Sequence, residues 1–498
     1  MVQQVSLVEN RSRLRRWWPA ATAVLVVLLA GTALRFDWRP TASPANGPAG
    51  VLLISLDTTR RDHLSCYGYT RETTPEIDAL ARDALLFSKA VAVSNWTLPT
   101  HASMLTGLFP TSHGAHWAEA DDSRPTPSQP ATPIQGTCET LSEILASAGY
   151  RTAAVVANAW LNQEMNFGQG FELFDNRPGT PPAPYRQAAE ITEAAIHWLA
   201  GPDERPFFLM LNYMDPHVPY NPPPPFNSRF RDGGDGREPA RSWGNQFWAE
   251  TRSAVVGGQR PLAERTRGLF LDRYDQELAY LDSEVGRLLD WLRDHQLYDR
   301  TLIILTADHG EAFGERLIVG HGLGLYEPEV AVPMIVKLPY QARTGVEDAG
   351  VQHTDILPTV LDVLSLASPP GVQGESMLAA SADRPLYVEE YVDPENVQHA
   401  LAADAGGWTR FTRRQWALYR GSLKYIEYSD GTHELFNLEQ DPGEMHDLAD
   451  SHTEVRELLR ADLASLRDRI TPVTPGTGDT KTLDAELIRR LKDLGYLQ

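Results

Sequence analysis

The chain has 498 residues, enough for two to four domains or for one large α/β domain with an appendage. Its 66 acidic and 45 basic residues give a net charge of −21 at pH 7. A surface this acidic argues against nucleic acid as a partner, because binding to a phosphate backbone requires a basic footprint. The two cysteines, Cys66 and Cys138, do not make a disulfide framework, and both a disulfide pair and two buried thiols are compatible with the sequence.

The first 50 residues are predicted to attach the protein to a membrane. An arginine-rich basic segment at residues 1–16 precedes an apolar run at residues 17–34 that is just long enough to span a bilayer. The arginines indicate a cytoplasmic N terminus. A cleaved signal peptide is the alternative, but no small-x-small cleavage site follows the run directly. We therefore expect a single-pass anchor, a Pro/Ala/Gly-rich linker at residues 35–50, and a catalytic domain in the periplasm or outside the cell.

From residue 51 onward, buried strands alternate with helices, which predicts an α/β fold. Residues 221–258 show no periodicity and are rich in Pro, Gly and Trp, so we interpret them as a long surface excursion and a candidate substrate-facing lid. Strands are expected at residues 51–56, 84–93, 150–157, 207–214, 301–306 and 330–338, and helices at residues 75–83, 141–148, 191–199, 273–295 and 353–366.

The pattern changes at residue 386. Two short alternating segments, residues 416–419 and 423–426, are typical of antiparallel strands, and a helix at residues 454–470 is expected to cover them. The sequence therefore predicts a catalytic domain at residues 51–385 and a smaller α+β subdomain at residues 386–498.

Residues with metal-binding and acid–base chemistry follow three of the predicted strands. Asp57 ends the first strand, and Asp308 and His309 follow the strand at residues 301–306. Open α/β sheets bind ligands at the carboxyl ends of their strands, and a carboxylate–imidazole set suits one divalent ion such as Ca²⁺, Mn²⁺ or Zn²⁺. Asp57 as a turn cap and an Asp–His pair without metal are the structural alternatives. His217 lies between two prolines at a third strand end, which fixes its backbone.

Thr97 lies just ahead of a segment with helical spacing that ends at Gly107. A hydroxyl at the start of a helix lies among unpaired N–H groups and at the positive end of the helix dipole. Both an attacking oxygen and an anionic ester are stabilised at such a place. The alternative is that Thr97 serves only as an N-cap.

Taken together and in this order, the motifs resemble the sulfatase family of the alkaline phosphatase superfamily, over nearly the whole chain from residue 51. The resemblance implies an alkaline-phosphatase-like or sulfatase-like α/β sandwich with a smaller C-terminal α+β subdomain. The matching segments include Leu56-Asp57-Thr58-Thr59-Arg60, Leu105-Thr106-Gly107, Asp215-Pro216-His217, Ala307-Asp308-His309-Gly310-Glu311 and Glu434-Leu435-Phe436-Asn437-Leu438.

The resemblance also implies a role for each candidate residue. Asp57, Asp308 and His309 match the ligands of one divalent metal ion. Thr97 falls at the position of the nucleophile, where it would also contact the metal. His217 matches the histidine that faces the leaving group in the family. His321 lies close to the position of a basic residue that binds the anion in the family, so both histidines are expected to be catalytic.

The chain departs from the family at the nucleophile. Sulfatases oxidise a Cys or Ser to formylglycine within the motif Cys/Ser-x-Pro-Ser/Ala-Arg, whereas this chain reads Thr97-Leu98-Pro99-Thr100-His101. The methyl group of threonine prevents oxidation to an aldehyde, and His101 replaces the helper arginine as a candidate catalytic residue. The family segment that supplies a Lys and a His to the sulfate is absent, and its region offers only Asn158. Thr58 stands where many members have a second acidic ligand.

Superfamily relatives with threonine nucleophiles act on phosphate esters. We therefore expect a metal-dependent hydrolase or transferase for anionic esters, favouring phosphodiesters or phosphate esters, whose substrate is a small molecule, a lipid head group or a glycan. The alternatives are a sulfuric ester hydrolase that acts without formylglycine and a non-catalytic relative that only binds metal.

Overall fold

The computed structural model describes residues 48–118, 131–180, 183, 185–230, 245–401, 406–472 and 485–493. The predicted membrane anchor lies outside the described residues, as does nearly all of the predicted linker. Across the part of the chain that the structure describes, every helix is too short or too polar to span a bilayer. The anchor, its orientation and the location of the catalytic domain therefore stay predictions.

Among the described residues before residue 353 there are ten strands, and eight of them form the main sheet. They are β1 (Gly50–Leu56), β2 (Leu85–Val91), β3 (Arg151–Val156), β4 (Leu173–Asp175), β5 (Phe207–Tyr213), β6 (Thr301–Ala307), β7 (Ala312–Phe313), β8 (Val319–Gly320), β9 (Met334–Lys337) and β10 (Gly345–Gln352). The order in the sheet is β10-β2-β9-β6-β1-β5-β3-β4, and β7 pairs with β8 in a separate ribbon.

Parallel pairing dominates the centre of this sheet. β1 is parallel to β5 and β6, and β3 is parallel to β5, whereas β9 runs antiparallel between β2 and β6. Strands β1, β3, β5 and β6 are buried along their whole length, as expected for apolar strands covered on both faces. The carboxyl ends of these four neighbouring strands therefore meet at one edge of the sheet.

The α-helices alternate with the strands, which confirms the predicted α/β class. They are α1 (Pro75–Arg82), α2 (Thr97–Thr106), α3 (Pro110–His113), α4 (Leu141–Ser147), α5 (Ala188–Leu199), α6 (Asn245–Val256), α7 (Glu264–Asp294), α8 (Glu327–Val330), α9 (Ile356–Leu364), α10 (Pro394–Leu401), α11 (Thr453–Arg467) and α12 (Ala485–Asp493).

Several predicted bounds were wrong. The strand expected at residues 330–338 begins only at Met334, because Pro333 has no amide hydrogen for the ladder and Val330 is the last residue of α8. The long helix α7 starts nine residues before its predicted start, in a first turn made of charged and polar residues. The predicted excursion contains α6, which packs against β8.

After residue 386, the chain forms an antiparallel sheet as predicted, with the order β11 (Leu386–Glu390), β12 (Gln415–Arg420), β13 (Leu423–Tyr428) and β14 (His433–Asn437). Leu459 and Leu463 of α11 join Leu418 and Leu435 of this sheet in a buried cluster, which confirms the covering helix. The same cluster includes Phe109 from the first part of the chain. The boundary at residues 385/386 stays a prediction.

Candidate active site

Adjacent strands place the first two candidate ligands next to each other. Leu56 and Ala307, the last residues of β1 and β6, are register partners, so Asp57 and Asp308 follow at the same sheet edge. The backbone N–H of Asp57 donates to the carbonyl oxygen of Tyr213 across 2.8 Å, which extends the pairing of β1 with β5 by one residue. The predicted position of both aspartates at the ends of neighbouring strands is therefore confirmed.

Asp57, Asp308 and His309 form a buried cluster whose ligand atoms all lie within 4.8 Å of one another. Among the described residues, Oδ1 of Asp57, Oδ2 of Asp308 and Nε2 of His309 are buried without a hydrogen-bond partner. The Nδ1 of His309 lies 2.9 Å from the carbonyl oxygen of Gly310, and this bond assigns the proton to Nδ1 and the lone pair to Nε2. Three buried acceptors that face one another without donors fit a divalent cation.

Burial also changes the protonation of this cluster. Burial, reinforced by the charge of Asp308, raises the pKa of Asp57 to about 8. Burial raises the pKa of Asp308 to about 7, even though Oδ1 accepts hydrogen bonds from the backbone N–H groups of His309 and Thr58. Burial lowers the pKa of His309. The cluster is therefore costly to ionise by itself, and a divalent cation would stabilise both carboxylates.

A strained turn holds Asp57 in place. Thr58 has φ 51°, an unusual backbone conformation for a β-branched residue. The hydroxyl of Tyr274, on α7, donates to the carbonyl oxygen of Thr58 across 2.8 Å and accepts the N–H of Arg60 at 2.7 Å. Strain of this kind persists only where its surroundings fix it and is concentrated at functional sites.

Thr97 is the first residue of α2 rather than its N-cap, which is Trp96, and no side chain caps this helix. The alternative role of Thr97 as a cap was therefore wrong. The amide nitrogen of Asn158 lies 2.8 Å from Oδ2 of Asp57 and 3.1 Å from Oγ1 of Thr97. Asn158 thus connects the Thr97 hydroxyl to the carboxylate cluster at the open N terminus of a helix.

Asn212, near the end of β5, orients Asn158. Its Oδ1 accepts the backbone N–H of Asn158 at 2.9 Å, and its Nδ2 lies 3.3 Å from Oδ2 of Asp57. Asn212 was not among the residues predicted to belong to the site. A polar residue inside an otherwise apolar buried strand was the signal that could have found it.

His101 lies one helical turn after Thr97 and packs beneath it. Its Nδ1 is 2.9 Å from the carbonyl oxygen of Thr97 and 3.7 Å from Oδ2 of Asp308. Burial lowers the pKa of His101 to about 3, so this side chain is neutral and differs in charge from an arginine at the same place. In this geometry His101 supports the first turn of α2.

His217 and His321 lie on the other side of the cluster. The ring centroids of His321 and His309 are 4.5 Å apart, and those of His217 and His321 are 5.2 Å apart. Burial, followed by the neighbouring His321, lowers the pKa of His217 to about 3. Glu311 is fully buried beside them, with Oε2 3.4 Å from Nδ1 of His321. It belongs to the motif that contains Asp308 and His309, but it was not predicted to be a site residue. All seven predicted site residues thus belong to one connected cluster.

A cavity of about 70 Å³ opens beside His217 and His321. Trp96 and Trp117 line it, and their rings stack with centroids 4.0 Å apart and an interplanar angle of 9°. Three charged residues, Arg252, Asp393 and Glu395, also line it. These two tryptophans and three charged residues were not predicted to belong to the site, since they come from separate parts of the chain and carry no motif.

Two family models match the chain: residues 50–366 match Sulfatase, and residues 323–469 match N-sulphoglucosamine sulphohydrolase, C-terminal. The uncharacterized sulfatase YidJ of Escherichia coli (strain K12) is 24% identical over 84% of this chain and 87% of the relative. The multifunctional alkaline phosphatase superfamily protein PehA of Trinickia caryophylli is 28% identical over 67% of this chain and 77% of the relative.

Solved structures share the fold. The phosphonate monoester hydrolase of Agrobacterium radiobacter superposes with a TM-score of 0.65 at 20% identity, over 85% of this chain and 96% of that chain. This likeness in fold agrees with the α/β architecture described above.

Proposed function

Since the chain belongs to the sulfatase family of ester hydrolases, we propose that it cleaves an anionic ester by direct attack of the Thr97 hydroxyl. Phosphodiesters or other phosphate esters are the favoured substrates. The observation that carries this proposal is the position of Thr97 Oγ1. It lies at the first residue of an uncapped helix and 3.1 Å from the Asn158 amide that also contacts Asp57.

The residues of the chain divide the work of such a reaction. Asn158 donates a hydrogen bond to Oγ1 and stabilises the negative charge that develops when Thr97 loses its proton. The N–H groups in the first turn of α2 face the charged oxygens of the ester. His217 lines the cavity beside the cluster, where the negative charge of the bound ester would raise its low pKa, so that the protonated ring donates to the leaving oxygen. Water or an alcohol would then release the group from Thr97.

Asp57, Asp308 and His309 would hold one divalent ion, with the Thr97 hydroxyl as a further contact. When bound, the ion supplies positive charge that offsets the charge of the ester and lowers the pKa of a coordinated hydroxyl. Carboxylate and imidazole ligands are compatible with Ca²⁺, Mn²⁺ and Zn²⁺.

The side chain of Thr97 favours phosphorus over sulfur. Formylglycine expels sulfate through a second hydroxyl on the same carbon, and threonine has no such group. A covalent adduct on Thr97 must instead be cleaved by attack of water or an alcohol at the phosphorus or sulfur atom. For a phosphoryl group, positive charge at a helix N terminus stabilises the transition state of this attack. The names of PehA and of the phosphonate monoester hydrolase agree with phosphorus chemistry. Sulfate ester hydrolysis is the second candidate, favoured by the sulfatases among the relatives.

We also propose that residues 17–34 anchor the protein in a membrane, with the catalytic domain outside the cytoplasm. The support is the sequence itself, in which an arginine-rich segment precedes an uncharged apolar run.

The test of the reaction is a panel of matched nitrophenyl substrates, run on the purified full-length chain in detergent with Ca²⁺, Mn²⁺ or Zn²⁺. The panel holds the leaving group constant and compares the sulfate, the phosphate monoester, the phosphodiester and the phosphonate. We expect phosphodiester or phosphonate turnover to exceed sulfate turnover. A strong preference for the sulfate would establish the second candidate. Absence of turnover with every metal would favour the non-catalytic metal-binding alternative.

A further inference from the structure

Arg252 lies on α6 and lines the cavity beside His217 and His321. Two tryptophans support its guanidinium group, since Cζ lies 5.7 Å from the ring centroid of Trp248 and 5.2 Å from that of Trp408. Such cation–π contacts hold the group in position without using its N–H donors.

These donors are unused within the described residues. Nε of Arg252 is buried without a hydrogen-bond partner, and no described carboxylate lies close enough to form an ion pair with the guanidinium. Asp393 and Glu395 line the same cavity at a greater distance. Burying the Nε donor without a partner is costly for stability alone, so this arrangement is consistent with a group that binds a ligand.

The backbone of β8 leaves room for this arrangement. Gly320 has φ +97°, and a Cβ there would lie 3.1 Å from the Trp248 ring and 3.2 Å from Nε of Arg252. Any other residue at this position would be strained and would crowd both side chains. The fold therefore keeps the guanidinium close to the ribbon that leads to His321.

The charge balance of the site shows what the ligand must be. The chain carries a net charge of −21, and the acidic side chains Asp393 and Glu395 line the same cavity. An anionic ester approaching this region requires positive charge. Among the described residues that line the cavity, only Arg252 carries a fixed positive charge, because arginine stays protonated.

We propose that Arg252 binds the charged oxygens of the ester and supplies the side-chain cation of the substrate site. The inference rests on the proposed function in that the ligand is an anionic ester. Its central claim, binding of an oxyanion through Arg252, can nevertheless be measured without turnover. Guanidinium N–H donors match phosphate and sulfate oxygens in a two-pronged geometry.

A substitution of Asp393 provides an independent test, in which the expected change in anion affinity has the opposite sign. It accepts the backbone N–H of Glu395 at 2.8 Å, at the start of α10, and its negative charge opposes an anion in the cavity. Asparagine also caps helices, so Asp393→Asn keeps this hydrogen bond and removes the charge. The change should strengthen anion binding.

The experiment measures the affinity of the metal-loaded, full-length protein for inorganic phosphate by titration calorimetry. We expect Arg252→Gln to weaken binding by at least about tenfold, as for the loss of a hydrogen bond to a charged group. The phosphate affinity of Arg252→Lys should lie between those of Arg252→Gln and the wild type. Asp393→Asn should bind phosphate more tightly than the wild type. Arg413→Gln is the matched control for net charge, since Arg413 pairs with Asp430 on the C-terminal sheet and should bind phosphate normally.

Metal content and thermal unfolding are recorded for each variant. Wild-type affinity in folded, metal-loaded Arg252→Gln would overturn the inference, as would a wild-type protein that does not bind phosphate. If Arg252→Gln does not fold, Asp393→Asn decides, and unchanged affinity in that variant would overturn it. If phosphate binding depends on Arg252 but no ester is cleaved, the anion site stands and the proposed reaction fails.

Discussion

Asn158 donates a hydrogen bond to the hydroxyl oxygen of Thr97 across 3.1 Å. The other hydrogen of the same amide points to Oδ2 of Asp57, 2.8 Å away. One side chain therefore fixes the distance between the candidate nucleophile and a candidate metal ligand. A donor on Oγ1 also leaves the hydroxyl proton free to depart and stabilises the charge that remains.

Replacing Asn158 should therefore reduce the rate without removing the metal. We expect Asn158→Ala to lower kcat by about a hundredfold, as for loss of one donor to a developing oxyanion. Metal content should hold, because Asn212 still contacts Asp57. Asn162→Ala is a matched control in the same loop, since Asn162 bonds only to backbone atoms of Ala159 and Met165. A similar loss of kcat in both variants would assign Asn158 a purely structural role.

Much of this site could be predicted because its residues follow buried strands. Asp57, His217 and the Asp308–His309 pair each come after an apolar run, and parallel strands bring such positions to one edge. The order of motifs then supplied Thr97 and His321. The α/β class followed from the same alternation of elements.

The remaining parts of the site depend on tertiary contacts that no local pattern shows. Arg252 and Trp248 belong to a helix without apolar periodicity, and packing against β8 stabilises that helix. Trp117 enters the site through stacking on Trp96. Asn212 has a local signal, as a polar residue in an apolar buried strand, but its contacts with Asp57 and Asn158 depend on β1 and β3 lying beside β5.

The carboxylate cluster should be required for metal binding. We expect Asp308→Ala to lose the bound metal, measured by elemental analysis, together with turnover, because the variant removes one of three converging ligands. Asp362→Ala, which removes a carboxylate that bonds to Ser376 outside the cluster, should keep both. Full metal occupancy in Asp308→Ala would show that other residues hold the ion.

The metal-free protein should lose stability as pH rises. Burial raises the pKa of Asp57 from 3.8 to about 8 and that of Asp308 from 3.8 to about 7. At pH values between 3.8 and these raised values, the folded state therefore binds more protons than the unfolded state. The stabilising neutral carboxyls are lost as pH increases through the raised values. Tm after chelation should therefore fall from about pH 4 to about pH 8 and level off above that, and saturating metal should reduce the fall.

Other buried carboxyls also contribute to that slope, since burial raises the pKa of Glu390 to about 8. The doubly substituted variant Asp57→Asn with Asp308→Asn isolates the contribution of the cluster. Its chelated form should show a shallower fall in Tm than the chelated wild type. Identical slopes in the two proteins would contradict the assignment.

The proposed anchor makes a separate prediction. Deleting all residues before Pro40 should move the protein from the membrane fraction to the soluble fraction without loss of turnover, because the described fold begins at residue 48. Replacing the arginines of the basic segment should make the orientation of the anchor in the membrane less uniform, while the protein stays attached to the membrane. Recovery of the full-length chain in a soluble cytoplasmic fraction would contradict the anchor.

Thr97 separates direct attack from every other mechanism for this site. We expect Thr97→Ala to lower kcat by at least about a thousandfold, since the attacking oxygen is lost while Asp57, Asp308 and His309 keep their positions. Thr97→Ser should keep appreciable activity, because it retains the hydroxyl and loses only a methyl group. Digestion after reaction with a slow phosphodiester should show a phosphate-sized addition on the peptide that contains Thr97. Full activity in Thr97→Ala would exclude the proposed nucleophile. Faster turnover of sulfate esters than of phosphodiesters would instead exclude the preference for phosphorus, because expulsion of sulfate from an alkyl adduct lacks the second hydroxyl that formylglycine provides.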